Sequence, residues 1–98
     1  MSGRRSKFEI YVDILTQIKN GVSKPTKIMY HSNLSWDRLG KILKSLIAQG
    51  FITERIVNER DKRTKRVYRI TKKGDNVLRY SNNVKSLMEL EVSTSLNE

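Results

Sequence analysis

The apolar residues of this chain change period twice, from helical spacing to alternation and back, which limits the folds open to it. Phe8, Tyr11, Ile14, Leu15 and Ile18 recur at steps of three and four, laying one apolar stripe along a helix. Ser6, with Glu9 three residues on, makes the reciprocal cap that starts such a helix, and Asn20-Gly21 ends it. A short second helix starts at Ser23-Lys24-Pro25, because proline in the first turn gives up no hydrogen bond. Ile28 and Met29 would face inward, and the segment fades by His31-Ser32-Asn33. A third helix follows almost at once. Ser35 caps it, Leu34 and Leu39 are placed as a hydrophobic staple, and Leu39, Ile42, Leu43, Leu46 and Ile47 form its stripe as far as Gln49-Gly50.

Then the period drops to two. Phe51 to Val57 and Arg66 to Thr71 read as strands, with Tyr68 and Ile70 alternating against Arg69, and the charged run 58–65 reads as the exposed tip of a hairpin. Helical spacing returns after Thr71, the cap of a last helix that carries Val77, Leu78, Val84, Leu87 and Met88 and runs to about Val92. Roughly twenty helical residues extend about 30 Å, more than the rest of so small a domain can cover. The fold class is therefore mainly α with a small β-hairpin, in the order α-α-α-β-β-α of a winged helix-turn-helix, with a long C-terminal helix. Residues 1–71 form the domain, with a short basic N-terminal arm; 72–92 form a dimerisation helix, and the polar residues 93–98 a flexible tail.

Charge says what such a shape would meet. Twenty Lys+Arg stand against ten Asp+Glu, a net charge of +10, which opposes compaction and suits a polyanionic partner. The excess is not uniform: residues 1–73 hold eighteen Lys/Arg and six Asp/Glu, whereas 74–98 hold two and four. The last helix is thus set aside from phosphate, and its length, near-neutrality and stripe fit pairing with a second subunit rather than an arm folded back on its own domain. Asp75, Glu89 and Glu91 on its polar face argue against a membrane surface. With no signal-like or membrane-spanning apolar run, the protein is expected in the cytoplasm, on the nucleoid.

Two motifs carry a resemblance. Lys27-Ile28-Met29-Tyr30-His31-Ser32-Asn33-Leu34-Ser35 and Ile70-Thr71-Lys72-Lys73-Gly74-Asp75 resemble the corresponding runs of small archaeal winged-helix DNA-binding proteins. That group comprises the ten-kilodalton chromatin proteins and related predicted transcriptional regulators. The resemblance spans roughly residues 6–90 and implies a long C-terminal helix that pairs in an antiparallel coiled coil. The wing here looks longer and more basic than in the chromatin proteins, and the last helix shorter. Asp61-Lys62-Arg63 instead resembles the wing tip of MarR-type regulators, where the arginine enters the minor groove.

Candidate contacts follow from the shape, since an α-helix fits the major groove and a hairpin tip reaches the backbone or minor groove. On the third helix, Ser35, Arg38, Lys41 and Ser45 are placed for base or phosphate, Lys44 nearer the backbone, and Trp36 at the edge of the core stripe, where packing competes with base contact. A charged helix face is often no more than a solvated one; its place in the motif argues otherwise. In the wing, Arg60, Lys62, Arg63, Lys65 and Arg66 exceed what is needed to keep a hairpin edge from aggregating. Lys72 and Lys73 stand at a helix start, where the macrodipole disfavours cations, and beside free N–H groups they would hold a phosphate. Gly74 then either permits close approach or relieves crowding against the sheet. Val77, Leu78, Val84, Leu87 and Met88 are the dimerisation set.

Other classes fare worse. The chain has no cysteine and one histidine, His31, without a partner set for a metal, and no cofactor is expected. Ser32, Ser35, His31 and Asp37 lack the strained nucleophile turn and oxyanion donors of a triad, so the chain is not expected to be an enzyme. No aromatic pair sits on a strand for stacking RNA bases. The expected partners are double-stranded DNA and a second copy of the chain; the alternative is a winged helix used as a protein-interaction module of a transcription complex.

Overall fold

A computed structural model describes residues 6–58 and 64–96. It contains α1 (Lys7–Lys19), α2 (Pro25–Ser32), α3 (Trp36–Ala48), the antiparallel strands β1 (Ile52–Asn58) and β2 (Thr64–Ile70), and α4 (Lys72–Leu96). The helix starts obey their local signals. Ser6 and Glu9 close a reciprocal cap on α1, and Ser35 Oγ accepts from the Arg38 amide at 3.2 Å. Thr71 Oγ1 accepts from the Gly74 amide at 3.1 Å and donates to the Gly50 carbonyl at 2.6 Å. Gly21 and Gly50, just past α1 and α3, take φ of 97° and 80°, conformations open to glycine without a steric penalty.

One core serves all the elements. Ile10, Ile14, Leu15 and Ile18 of α1 meet Ile28, then Leu39, Ile42, Leu43 and Leu46 of α3, with Ile52, Tyr68 and Leu78 closing it. Two details depart from the expected stripes. Phe8 is exposed and Ile10 takes its place, because the α1 stripe turns toward α4 and β2. The hairpin is longer than its hydrophobic pattern: Asn58 pairs with Thr64 and Val57 with Lys65, so the backbone ladder continues through residues assigned to the tip. The wing is also tied to the α1–α2 connection, since the Tyr68 amide donates to the Ser23 carbonyl at 3.1 Å.

α4 begins inside the domain and leaves it. Asp75 pairs with Lys19 of α1 and, at 3.3 Å, with Arg79; the hydrogen bond from Lys19 is the main cause that holds the Asp75 carboxyl below its ordinary range. Leu78, 3% exposed, belongs to the domain core and is therefore withdrawn from the dimerisation set. α4 continues to Leu96, so residues 93–96, expected as a flexible tail, are helical. Ser93-Thr94-Ser95 contains neither glycine nor proline, and continuing a helix through such residues costs only about half a kcal/mol each. The radius of gyration is 16.3 Å, against about 13 Å for a compact chain of this size, because the far part of α4 projects.

Candidate nucleic-acid interface

The face of α3 opposite its buried stripe presents Asp37, Lys41 and Lys44, all exposed. Lys41 and Asp37 form a surface pair at 3.4 Å, one helical turn apart. Such a pair is worth little and opens readily for a stronger anion. Arg38 lies on the edge toward α1, where Lys7, Arg38 and Lys41 line one groove with Tyr11 and Ser45. Trp36 lies on the other edge, toward the hairpin, and is 57% exposed, so most of its indole is left uncovered. The packing expected for Trp36 is only partial.

The hairpin divides its cations by the two-residue period of a strand. Arg66 shares the face of Tyr68, Glu54 and Ile56; Lys65 shares the opposite face with Arg55 and Arg69. Lys65 and Arg66, neighbours in sequence, therefore serve different sides. Tyr68 is buried and donates its hydroxyl to Glu54 Oε2 at 2.8 Å, and Arg66 stands 3.9 Å from the same carboxylate. Burial first, then the bond and charge of Glu54, push the Tyr68 phenol up to about 12. Glu54 thereby sets Arg66 beside α3. Arg60, Lys62 and Arg63 lie in 59–63, outside the described residues.

Three other candidates are engaged within the fold. Ser45 accepts from the Tyr11 hydroxyl at 3.2 Å and from Gln49 Nε2 at 2.9 Å, and is half-buried. Ser35 caps α3 but remains exposed, with its own O–H still able to donate. Lys73 donates to the Gln49 carbonyl at 2.9 Å and lies 5.1 Å from the Phe51 ring centroid. It neutralises the C-terminal end of α3, the compensation that was invisible in sequence. That end is about 18 Å along the axis from the Trp36 end of α3. Lys72 is exposed. Gly74 is explained by crowding: a Cβ there would lie 2.2 Å from the Phe51 carbonyl oxygen.

Beyond Leu78, α4 exposes Tyr80 at 72%, Leu87 at 62%, and also Val84 and Met88. Val77, Tyr80, Val84 and Leu87 follow steps of three, four and three, the seam of a coiled coil. Tyr80 was missed in the sequence because an aromatic with a hydroxyl reads as either face of a helix. The seam continues onto the domain through an apolar groove lined by Phe8, Phe51, Val77 and Tyr80. Among the described residues no group of His, Cys, Asp and Glu is placed to hold a metal, and no helix is long and apolar enough to cross a membrane.

Residues 4–89 match the winged helix-turn-helix family. An uncharacterised protein of Methanocaldococcus jannaschii is 45% identical over 49 residues, half of each chain. A second from the same organism is 35% identical over 77 residues, 79% of this chain and 32% of that one. The chain thus spans half the length of one curated relative and about a third of the other. Among solved structures, smu.1704 of Streptococcus mutans superposes with a TM-score of 0.79 at 21% identity, covering 99% of this chain and 94% of that one. Sso10a-2, a DNA-binding protein from Sulfolobus solfataricus, gives 0.65 at 24% identity, over 95% and 92%. PadR of Bacillus subtilis, solved in complex with operator DNA, gives 0.65 at 22%, over 72% and 45%. At these identities the structures establish the shared fold.

Proposed function

The chain belongs to the winged helix-turn-helix family, and from that premise we propose that it binds double-stranded DNA as a homodimer, as a transcriptional regulator or nucleoid-associated protein of the cytoplasm. The observation that carries this is the arrangement around α3. Lys41 and Lys44 stand on its exposed face, with Lys7 and Arg38 along the edge toward α1 and Arg66 along the edge toward the hairpin. A helix bordered on both sides by cations matches a major groove bordered on both sides by phosphates. The wing tip, with Arg60, Lys62 and Arg63, extends the contact along the backbone or into the minor groove. On this reading Ser35 and Trp36, at the start of α3, and the exposed Lys72, at the start of α4, add contacts, and Lys73 and Ser45 act by fixing the elements that carry the surface.

Two fold relatives support the nucleic-acid partner: one is a DNA-binding protein and another was solved on its operator. The chemistry is recognition rather than catalysis. Pairing uses Val77, Tyr80, Val84, Leu87 and Met88, and the domain proper extends to Leu78, past the boundary at residue 71. The test is a salt titration of duplex binding. With about five phosphates neutralised per subunit, log K against log salt should slope near −4 to −5 per subunit. A flat dependence, or binding no tighter than that of an unstructured basic peptide, would favour a protein-interaction module instead.

A further inference from the structure

Among the described glycines, all but one have a reason within the fold: Gly21 and Gly50 by positive φ, Gly74 by crowding. Gly40 has none. It sits in the middle of α3, and a Cβ there would meet nothing within 4 Å. Glycine in a helix interior is destabilising relative to alanine, so the isolated domain would be better served by alanine. A local rule broken without local compensation, in a helix that is otherwise well capped and well packed, marks a place where something outside the chain needs the room.

The surroundings say what that is. Gly40 lies one turn after Trp36 and one turn before Lys44, on the edge of α3 that faces the hairpin. It forms part of the wall of a cleft of about 130 Å³ with Pro25, Trp36, Glu54, Arg66 and Tyr68. The charged groups of the cleft are the Glu54 carboxylate, which accepts from Tyr68 and stands 3.9 Å from Arg66, and the exposed Lys44 and Arg66. Apart from Lys44, the wall around Gly40 is apolar, with Pro25, Trp36, Leu39, Leu43 and Ile47. Among the groups that base pairs display in the major groove, the apolar one is the thymine 5-methyl. On the DNA-binding function proposed above, we propose that the notch left by the missing Cβ of Gly40, beside Trp36, seats a thymine methyl and makes this edge of α3 a specificity determinant.

The experiment compares the full chain on two duplexes of equal length, alternating adenine–thymine and the same duplex with deoxyuridine for thymine, which removes only the methyl. Wild type should bind the thymine duplex about fourfold tighter for each methyl seated. Gly40→Ala should raise Tm by about 4–8 °C, weaken binding to the thymine duplex and abolish the preference. Lys44→Ala should weaken both complexes alike and keep the preference. Equal affinity of wild type for the two duplexes, or a preference that survives Gly40→Ala, overturns the notch while leaving DNA binding intact. Failure of wild type to bind either duplex overturns the proposed function and the notch together.

Discussion

Gly74→Ala places a methyl group where the fold has no room. The added Cβ would lie 2.2 Å from the Phe51 carbonyl oxygen and 2.8 Å from Ile70 Cγ1. Ordinary carbon–oxygen contact is about 3.4 Å, so the start of α4 must retreat by about 1 Å from the base of the hairpin. Four interactions lie in the path of that retreat. They are Thr71 N–H to the Phe51 carbonyl at 3.0 Å, Thr71 Oγ1 to the Gly50 carbonyl at 2.6 Å, the Gly74 amide to Thr71 Oγ1 at 3.1 Å, and Lys73 to the Gln49 carbonyl at 2.9 Å. Overpacking costs about 1–3 kcal/mol, and each weakened hydrogen bond about 1 kcal/mol. The better helix propensity of alanine returns about 1 kcal/mol. The net loss is about 2–4 kcal/mol, a fall in Tm of roughly 10–30 °C for a domain of this size. Circular dichroism melts at one fixed protein concentration measure it, with Asn76→Ala, an exposed site in the same helical turn, as the propensity control. A Gly74→Ala protein that melts with or above wild type would refute the reasoning.

Leu87→Asp removes an exposed apolar residue of the α4 seam from both subunits and puts a charge there; loss of the two leucines alone is about 3–6 kcal/mol, so dimerisation should weaken by about 10²–10⁴-fold by analytical ultracentrifugation, with the monomer still folded. A dimer of unchanged affinity would place the interface elsewhere. Tyr68 should ionise late, near pH 12, by ultraviolet titration, and Tyr68→Phe should remove that late step. Its pKa is raised on folding, so the stability it contributes is complete below pH 10 and declines as pH rises toward 12; Tyr68→Phe should remove that alkaline decline. Asp37→Asn frees Lys41 and removes an anion from the exposed face of α3, and should tighten duplex binding about threefold to tenfold at low salt, at a stability cost of about 0.3–1 kcal/mol from the helix start. Unchanged or weaker binding would show that this face does not meet phosphate.

The parts of this molecule that were legible in the sequence are those decided locally. Ser6 with Glu9, Ser35, and Thr71 act within one helical turn, and each caps as its spacing requires. The order of helices and strands follows from periodicity alone, which needs no knowledge of partners. What escaped was decided at a distance. Lys73 is satisfied by a carbonyl twenty-four residues away, and Ser45 by a tyrosine thirty-four away. Leu78 and Leu87 carry the same apolar signal, and only packing separates the one that closes the core from the one left outside it. The hairpin ran past its hydrophobic pattern because a ladder is built from backbone groups, whatever side chains they bear. Gly40 gave no signal because a glycine in a helix is informative only once the empty space beside it is seen.

The junction at Gly74 also has a mechanical meaning. Because α4 cannot slide over Phe51 and is bonded to the last turn of α3 through Lys73, the two helices behave as the arms of one bent lever. In the proposed dimer the arm from Gly74 to Leu87 is about 20 Å long. Tilting it by about 10° carries the attached domain through about 3.4 Å, the rise of one base pair. The angle at which two such arms cross would therefore gauge the separation of the half-sites the pair can span, at one base-pair rise for about every 10° of tilt.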